Sequence, residues 1–167
     1  MIHIEERNKN NYGAIQIKPR YNSNVFCEMY KIEDFIKIKQ RVEEILSDIE
    51  DNNGDNELEV FMQIYIKLAK LIKYDDTAIN LKERMYTSGN LIGGLLQGEC
   101  VCRGYVEILS NILACRGIES RVLFSNNHVF NQVKINGNWY YVDLTWDRDK
   151  ISRRRRTRML SFIARRI

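Results

Sequence analysis

Proline is almost absent. Pro19 is the only one in 167 residues, so no proline-rich linker divides the chain, and its length fits one domain. No apolar run approaches the roughly 20 residues that a membrane-crossing helix needs. The opening MIHIEERNKNN turns polar at once and lacks the charged-then-apolar pattern of a secretory leader. A cytoplasmic location is therefore expected, with export by a leaderless route left open. Four unevenly spaced cysteines do not form a disulfide framework in a chain this long, and a reducing compartment suits them better. Histidine occurs twice, at His3 and His128. No acidic loop has the spacing of a calcium site. What the chain does have is enough apolar residue, 44%, to build a core.

Charge is split along the chain. Residues 150–167 carry eight basic side chains and no acid, whereas the whole chain is +4, which leaves residues 1–149 at −4. Such a tail could bind nucleic acid or an anionic surface, or could simply be a solvated end. Arginine appears eight times in residues 1–149 and seven times in the last 17. That break reads as a truncated or frame-altered terminus in preference to a nucleic-acid arm. The end RMLSFIARRI suits a turn or two of amphipathic helix, packed where a further strand belongs.

Periodicity gives the organisation. Residues 1–31 read as one or two strands or an irregular arm. Residues 32–49 place Ile32, Phe35, Ile36, Val42, Ile45, Leu46 and Ile49 near helical period. A polar linker at 51–57 leads to a helix over 57–73, with Leu58, Phe61, Ile64, Tyr65, Leu68, Leu71 and Ile72 inward. Residues 74–90 read as a loop with some helix. A third helix over 103–116 carries Tyr105, Ile108, Leu109, Ile112 and Leu113 as one buried stripe. Gly117 stops it, and Arg116 suits the negative end of its dipole. Strands follow at about 119–125, 128–135 and 138–146. Residues 1–149 form the domain, and 150–167 are a basic tail.

The chemistry lies in this last part. Cys102 opens the third helix, where unpaired N–H groups and the positive dipole end favour a thiolate and could hold an oxyanion. Asn136-Gly137 is the sequence of a two-residue type I′ hairpin turn. It sets a register in which paired residue numbers sum to 273. Phe130 then opposes Asp143, and His128 becomes a diagonal neighbour of Asp143 on the same face, with Cα atoms about 7–8 Å apart. A slip of one residue would send ring and carboxylate to opposite faces. The other face carries Val129, Val133, Ile135, Tyr140, Val142, Leu144 and Trp146 as core. Sulfur, imidazole and carboxylate are the parts of thiolate nucleophilic catalysis. The plainer readings are a buried cysteine, a core histidine and a strand-end carboxylate. A metal site fits less well. Cys100 and Cys102 form C-x-C instead of a C-x₂₋₄-C pair, and Cys115 lies about 20 Å along the helix. No metal and no cofactor are expected; a Cys100–Cys102 disulfide would be an oxidised off-state.

The segments VCRGY (101–105), HVFNQV (128–133) and NGNWYYVDLTWD (136–147) resemble the transglutaminase-like superfamily, relatives of papain-type cysteine proteases. The upstream run 58–75, ending in Tyr74-Asp75, is similar to the helix and "YD" that precede its core, so the likeness covers about 58–147. It implies an α+β fold with the nucleophile helix packed on an antiparallel sheet. By the same likeness Cys102 is the nucleophile, His128 the base and Asp143 the orienting acid. Asn131, Phe130, Trp139 and Tyr105 are expected to bind substrate or support the site. Phe130 and Val129 replace the usual Trp and Ala, Cys100 stands where Gly is common, and Ile92 falls near a usual aromatic. The implied function is a bacterial-type cysteine protease, amidase or transglutaminase acting on peptide or glutamine amides of a protein or peptide. Hydrolysis is favoured over crosslinking. The alternatives are a non-catalytic interaction module and a secreted effector or toxin domain.

Overall fold

A computed structural model of the chain describes residues 3–5, 12–16, 28–50, 56–152 and 165–166. Its centre is the helix that begins at Cys102. Helix α4, in chain order, spans Cys102–Cys115, and the side chains of Tyr105, Ile108, Leu109, Ile112 and Leu113 are completely buried. The expected stripe is there, but so is more: Val106 and Glu107 are also buried. The helix is enclosed on several sides, not on one face, and the Arg103 guanidinium neutralises Glu107 across one turn at 3.2 Å. Gly117 ends it as expected, with Ile118 N–H bonding Leu113 O and Gly117 N–H bonding Ala114 O. Arg116 does not serve its own helix end. It donates to the carbonyls of Leu46 and Ile49, closing the end of α1 (Ile32–Ser47).

Two helices buttress α4. In α1 the inward stripe is Phe35, Ile38, Val42, Ile45 and Leu46, continued by Ile49 just past its end. Ile32 and Ile36, expected near that stripe, are exposed. At 100° per residue, Ile36 lies about 130° round from its centre. Helix α2 (Glu57–Leu71) starts at Asn56, whose side chain accepts from Glu59 N–H and donates back to the Glu59 carboxylate. It buries Phe61, Ile64, Tyr65 and Leu68, while Leu58, expected inward, lies exposed in the first turn.

Strands β1 (His3–Glu5), β2 (Tyr12–Gln16) and β3 (Glu28–Lys31) form an antiparallel sheet, one strand more than the sequence indicated. Residues 73–100 hold short pieces that propensity alone does not reveal. They are strand β4 (Lys73–Tyr74), a 3₁₀ turn at Ala78–Asn80, helix α3 (Lys82–Ser88), a π-helical turn at Ile92–Gln97 and strand β5 (Glu99–Cys100). Strands β4 and β5 pair in parallel, Tyr74 opposite Cys100. After α4, strands β6 (Ser120–Phe124), β7 (Val129–Ile135), β8 (Asn138–Val142) and β9 (Arg165–Arg166) form a four-stranded antiparallel sheet in that order. Residues 153–164 and 167 of the basic tail, and most of the helical turn expected there, lie outside the described residues; Arg165–Arg166 pair as a strand beside Tyr140 and Tyr141.

The hairpin forms as its turn dictates. Asn136 (φ 50°) and Gly137 (φ 79°) both take the left-handed backbone of a type I′ turn. Ile135 pairs with Asn138 and Asn131 with Val142, the sum-273 register throughout. One expectation fails beyond it. The last strand stops at Val142, and residues expected to extend it form helix α5 (Leu144–Ser152). Asp143 causes the change: its Oδ1 accepts from Trp146 N–H at 3.3 Å, and its carbonyl receives Asp147 N–H. Asp143 is thus an N-cap. Trp146, expected on the core face, is 66% exposed.

The start of α4 is held by a buried carboxylate. Asp75 is 2% exposed and accepts from Thr77 N–H and hydroxyl, Ala78 N–H, the Arg84 guanidinium at 2.6 Å and the Ser88 hydroxyl. Burial disfavours its charge, but the bonds from Ser88, Arg84 and Thr77 prevail and hold the carboxyl well below the usual range. Ser88 also offers its carbonyl to the N–H of Val101, the residue that caps α4. Close approach there requires a glycine: a Cβ at Gly104 would stand 2.6 Å from Cys100 Cβ and 2.7 Å from Ser88 O.

Two outcomes follow. Gly104→Ala should destabilise the fold by roughly 1–3 kcal/mol in urea titration, despite alanine's better helix propensity, because the backbone must shift. A depressed folded pKa contributes stability above the unfolded carboxyl value near 4 and loses it as pH falls toward the folded value. Asp75→Ala should therefore cost roughly 3 kcal/mol at neutral pH. Its melting curve should approach that of the wild type as pH is lowered from 6 to 2.

Candidate active site

Topology brings three of the sequence-selected residues to one end of the molecule. Strand β6 leaves the C-terminal end of α4 after a tight turn and runs back along it, with Ser120 opposite Val133 and Phe124 opposite Val129. The β6–β7 turn, and His128 with it, therefore lies at the end where α4 begins. Asn131 fastens strand to helix. It is 1% exposed and donates to Ser110 Oγ at 2.9 Å and to Val106 O at 3.4 Å, one turn from Cys102.

His128 stands just before β7, and its carbonyl receives the Ser125 N–H at 2.8 Å. Its Nε2 lies 2.6 Å from Asp143 Oδ2. The side chains are 19% and 27% exposed, so the bond is sheltered but reachable. With Nε2–H donated to the carboxylate, Nδ1 carries the ring's free lone pair. Asp143 thus uses one oxygen for the imidazole and the other for the first turn of α5.

Cys102 is the first residue of α4, is not in a disulfide and is partly exposed. The cap position holds Val101, so no side chain caps the first-turn N–H groups. The phenol of Tyr74 is raised by burial and further by the Cys102 sulfur, so it lies within electrostatic reach of that atom. The Arg148 guanidinium covers the Tyr74 ring at 4.9 Å. Cys100 differs sharply from its neighbour: it is fully buried, and burial pushes its thiol far above the ordinary value. Among the described residues no cluster of His, Cys, Asp and Glu could hold a metal ion.

The supporting residues separate. The Phe130 ring stacks on the imidazole, centroids 6.3 Å apart and 18° from parallel. Tyr105 is completely buried and donates to Ile72 O at 2.9 Å, tying α4 to the end of α2 without reaching a substrate surface. Trp139 is on the outer face of β8, covered by the Arg121 guanidinium at 3.9 Å and far along the strand from Asp143. Two contacts escaped sequence reasoning. Trp146 meets the His128 ring edge-on at 5.8 Å. Tyr65, fully buried, donates to Asp147 Oδ2 at 3.1 Å, and burial together with the Asp147 charge raises its phenol well above the ordinary value. The cap at Asp143 was the missing signal, because only a helix turns both residues to these places.

No family model and no curated protein sequence matches the chain. Solved structures do. A TGase (transglutaminase) crystal structure aligns with a TM-score of 0.55 at 17% identity, over 68% of this chain and 32% of that one. A candidate cysteine protease from Cytophaga hutchinsonii aligns with a TM-score of 0.42 at 18% identity, over 67% of this chain and 37% of that one. The chain spans about a third of the length of these proteins. The fold assignment rests on the first: the chain has a transglutaminase-like α+β fold, with the helix that begins at Cys102 packed against an antiparallel sheet.

Proposed function

We propose that the chain is a cysteine hydrolase acting on amide bonds of a peptide or of a glutamine side chain. The observation that carries this reading is the 2.6 Å bond from His128 Nε2 to Asp143 Oδ2, at the end of the fold where α4 begins with Cys102. In this reading the Cys102 thiolate attacks the amide carbon, and the tetrahedral oxygen takes up charge beside the uncapped N–H groups of the first turn. The imidazolium of His128 gives its Nδ1 proton to the leaving amine, and a thioester remains on Cys102. Water, deprotonated by the same nitrogen, then releases the acid. An amine in place of water would give crosslinking. Of the two outcomes we rank hydrolysis first. Asp143 holds the ring in the tautomer that leaves Nδ1 as the base.

Two measurements test this. Iodoacetamide labelling, resolved by peptide mass mapping, should modify Cys102 near neutral pH faster than the exposed Cys115. His128→Ala should slow Cys102 labelling at least tenfold and leave Cys115 unchanged. Equal rates at the two thiols, insensitive to His128, would leave a non-catalytic interaction module. Asp143 separates its two duties. Asn is as good a cap as Asp, so Asp143→Asn should keep stability within a few tenths of a kcal/mol and still slow labelling. Asp143→Ala, which also removes the cap, should be about 1 kcal/mol less stable than Asp143→Asn in denaturant titration.

A further inference from the structure

Away from the imidazole, the outer face of the four-stranded sheet takes no part in the reaction above. Register places its residues. One row across the sheet reads Arg121, Gln132, Tyr141 and Arg165, and the next carries Lys134 and Trp139. Rings and cations are interleaved there. The Arg121 guanidinium lies 3.9 Å from the centre of the Trp139 ring, and the Lys134 ammonium lies 5.8 Å from it. The Arg121 side chain is 48% exposed and that of Lys134 40%, and Tyr141 is exposed as well. Glu119, mostly buried, meets Lys134 at 3.1 Å and Arg121 at 4.0 Å. One carboxylate does not neutralise two cations, so this part of the face stays positive. Strand β9 continues it with Arg165–Arg166, from a segment, 150–167, that has eight basic residues and no acid.

A polyanion with flat apolar surfaces of its own suits such a face. Phosphates pair with the cations, and bases stack on aromatic rings or on a guanidinium plane. We propose that the outer face of this sheet binds single-stranded nucleic acid, with phosphates held by Lys134 and Arg121 and bases stacked on Tyr141 and on the Arg121–Trp139 pair. Trp139 and Tyr141 stand two residues apart on β8, about 6.7 Å along the strand. That is roughly twice the 3.4 Å step of a stacked strand, so each ring takes its own base. A duplex keeps its base faces within its own stack and would meet only the cations. A lipid surface calls for exposed aliphatic side chains, and among the described strands this face carries one, the half-buried Leu123.

Fluorescence anisotropy on the full chain tests this, with labelled oligothymidylate and oligouridylate of about 15 nucleotides. Both should bind, and more weakly as salt rises. Tyr141→Ala and Trp139→Ala should each weaken binding about tenfold. Tyr141→Phe, which keeps the ring, should stay within about twofold of the wild type. Arg121→Gln should weaken binding and lower the salt slope by about 0.7. If circular dichroism shows Trp139→Ala unfolded, the two Tyr141 variants and Arg121→Gln decide. Polyphosphate of equal charge has no bases and should compete at least tenfold less well than unlabelled oligothymidylate. No binding at about 50 mM salt overturns the inference. So does binding that the ring variants leave unchanged, or that polyphosphate displaces equally well, because the basic tail alone would then account for it. Attachment to phosphatidylserine vesicles that the oligonucleotides do not displace assigns the face to lipid and overturns it too. Cys102→Ser should bind as the wild type does, so the outcome is independent of the hydrolase reading.

Discussion

The carboxylate of Asp143 joins two elements that would otherwise be independent. One oxygen accepts from the imidazole of His128 and the other from the backbone of the following helix. Rotating the group to improve one bond weakens the other, so the two fix its orientation together. A cap is worth about 1 kcal/mol, and a hydrogen bond to a charged group about 1.5–3. The imidazole bond depends on hairpin register, and register depends on two left-handed residues at Asn136-Gly137. The site thus inherits its precision from a turn five residues or more away in sequence.

The sulfur side has its own anchor. Asp75 binds the Ser88 hydroxyl, and the Ser88 carbonyl binds the N–H of Val101. Position passes from a buried anion, through one serine, to the residue before Cys102. Gly104 lets the helix come close enough for that bond, and Asn131 holds the first turns from the sheet side. Tyr105 adds a third tie, to the end of α2. These groups are buried and hydrogen-bonded, so they resist displacement. In the proposed reaction Cys102 would need such support, because a shift of about 1 Å can cost a hundredfold in rate.

Much of this was legible in the sequence, for physical reasons that can be named. The Asn-Gly turn has few alternatives, so pairing of β7 with β8 followed from it to the residue. The stripe from Tyr105 to Leu113 gave α4, and Gly117 gave its end. Less visible was anything that depends on partners far along the chain. Asp75 looks like an ordinary loop aspartate until Arg84 and Ser88 fold over it. Parallel β4–β5, two residues each, carries no periodicity to detect. Enclosure of α4 on several sides was hidden because Glu107 reads as a solvent-facing residue, whereas its pairing with Arg103 lets it be buried.

The strand-to-helix change at Asp143 is the instructive miss, since it decides what surrounds the imidazole. With a period of two, Val142, Leu144 and Trp146 share a face, and the tryptophan belongs in the core. With 100° per residue, Leu144 and Ile151 stay inward, while Trp146 lies about 200° from Leu144, on the opposite side. Leu144 and Ile151 are indeed buried and Trp146 is open. The same capping bond that orients the carboxylate thereby swings an indole against the ring that the carboxylate holds. Phe130 and Trp146 then exclude water from part of the imidazole, and a hydrogen bond in such surroundings is electrostatically stronger than one in bulk water. One residue in the cap position therefore sets the partner of the imidazole and its apolar shelter together. A change that abolished the cap while sparing the charge would disturb both.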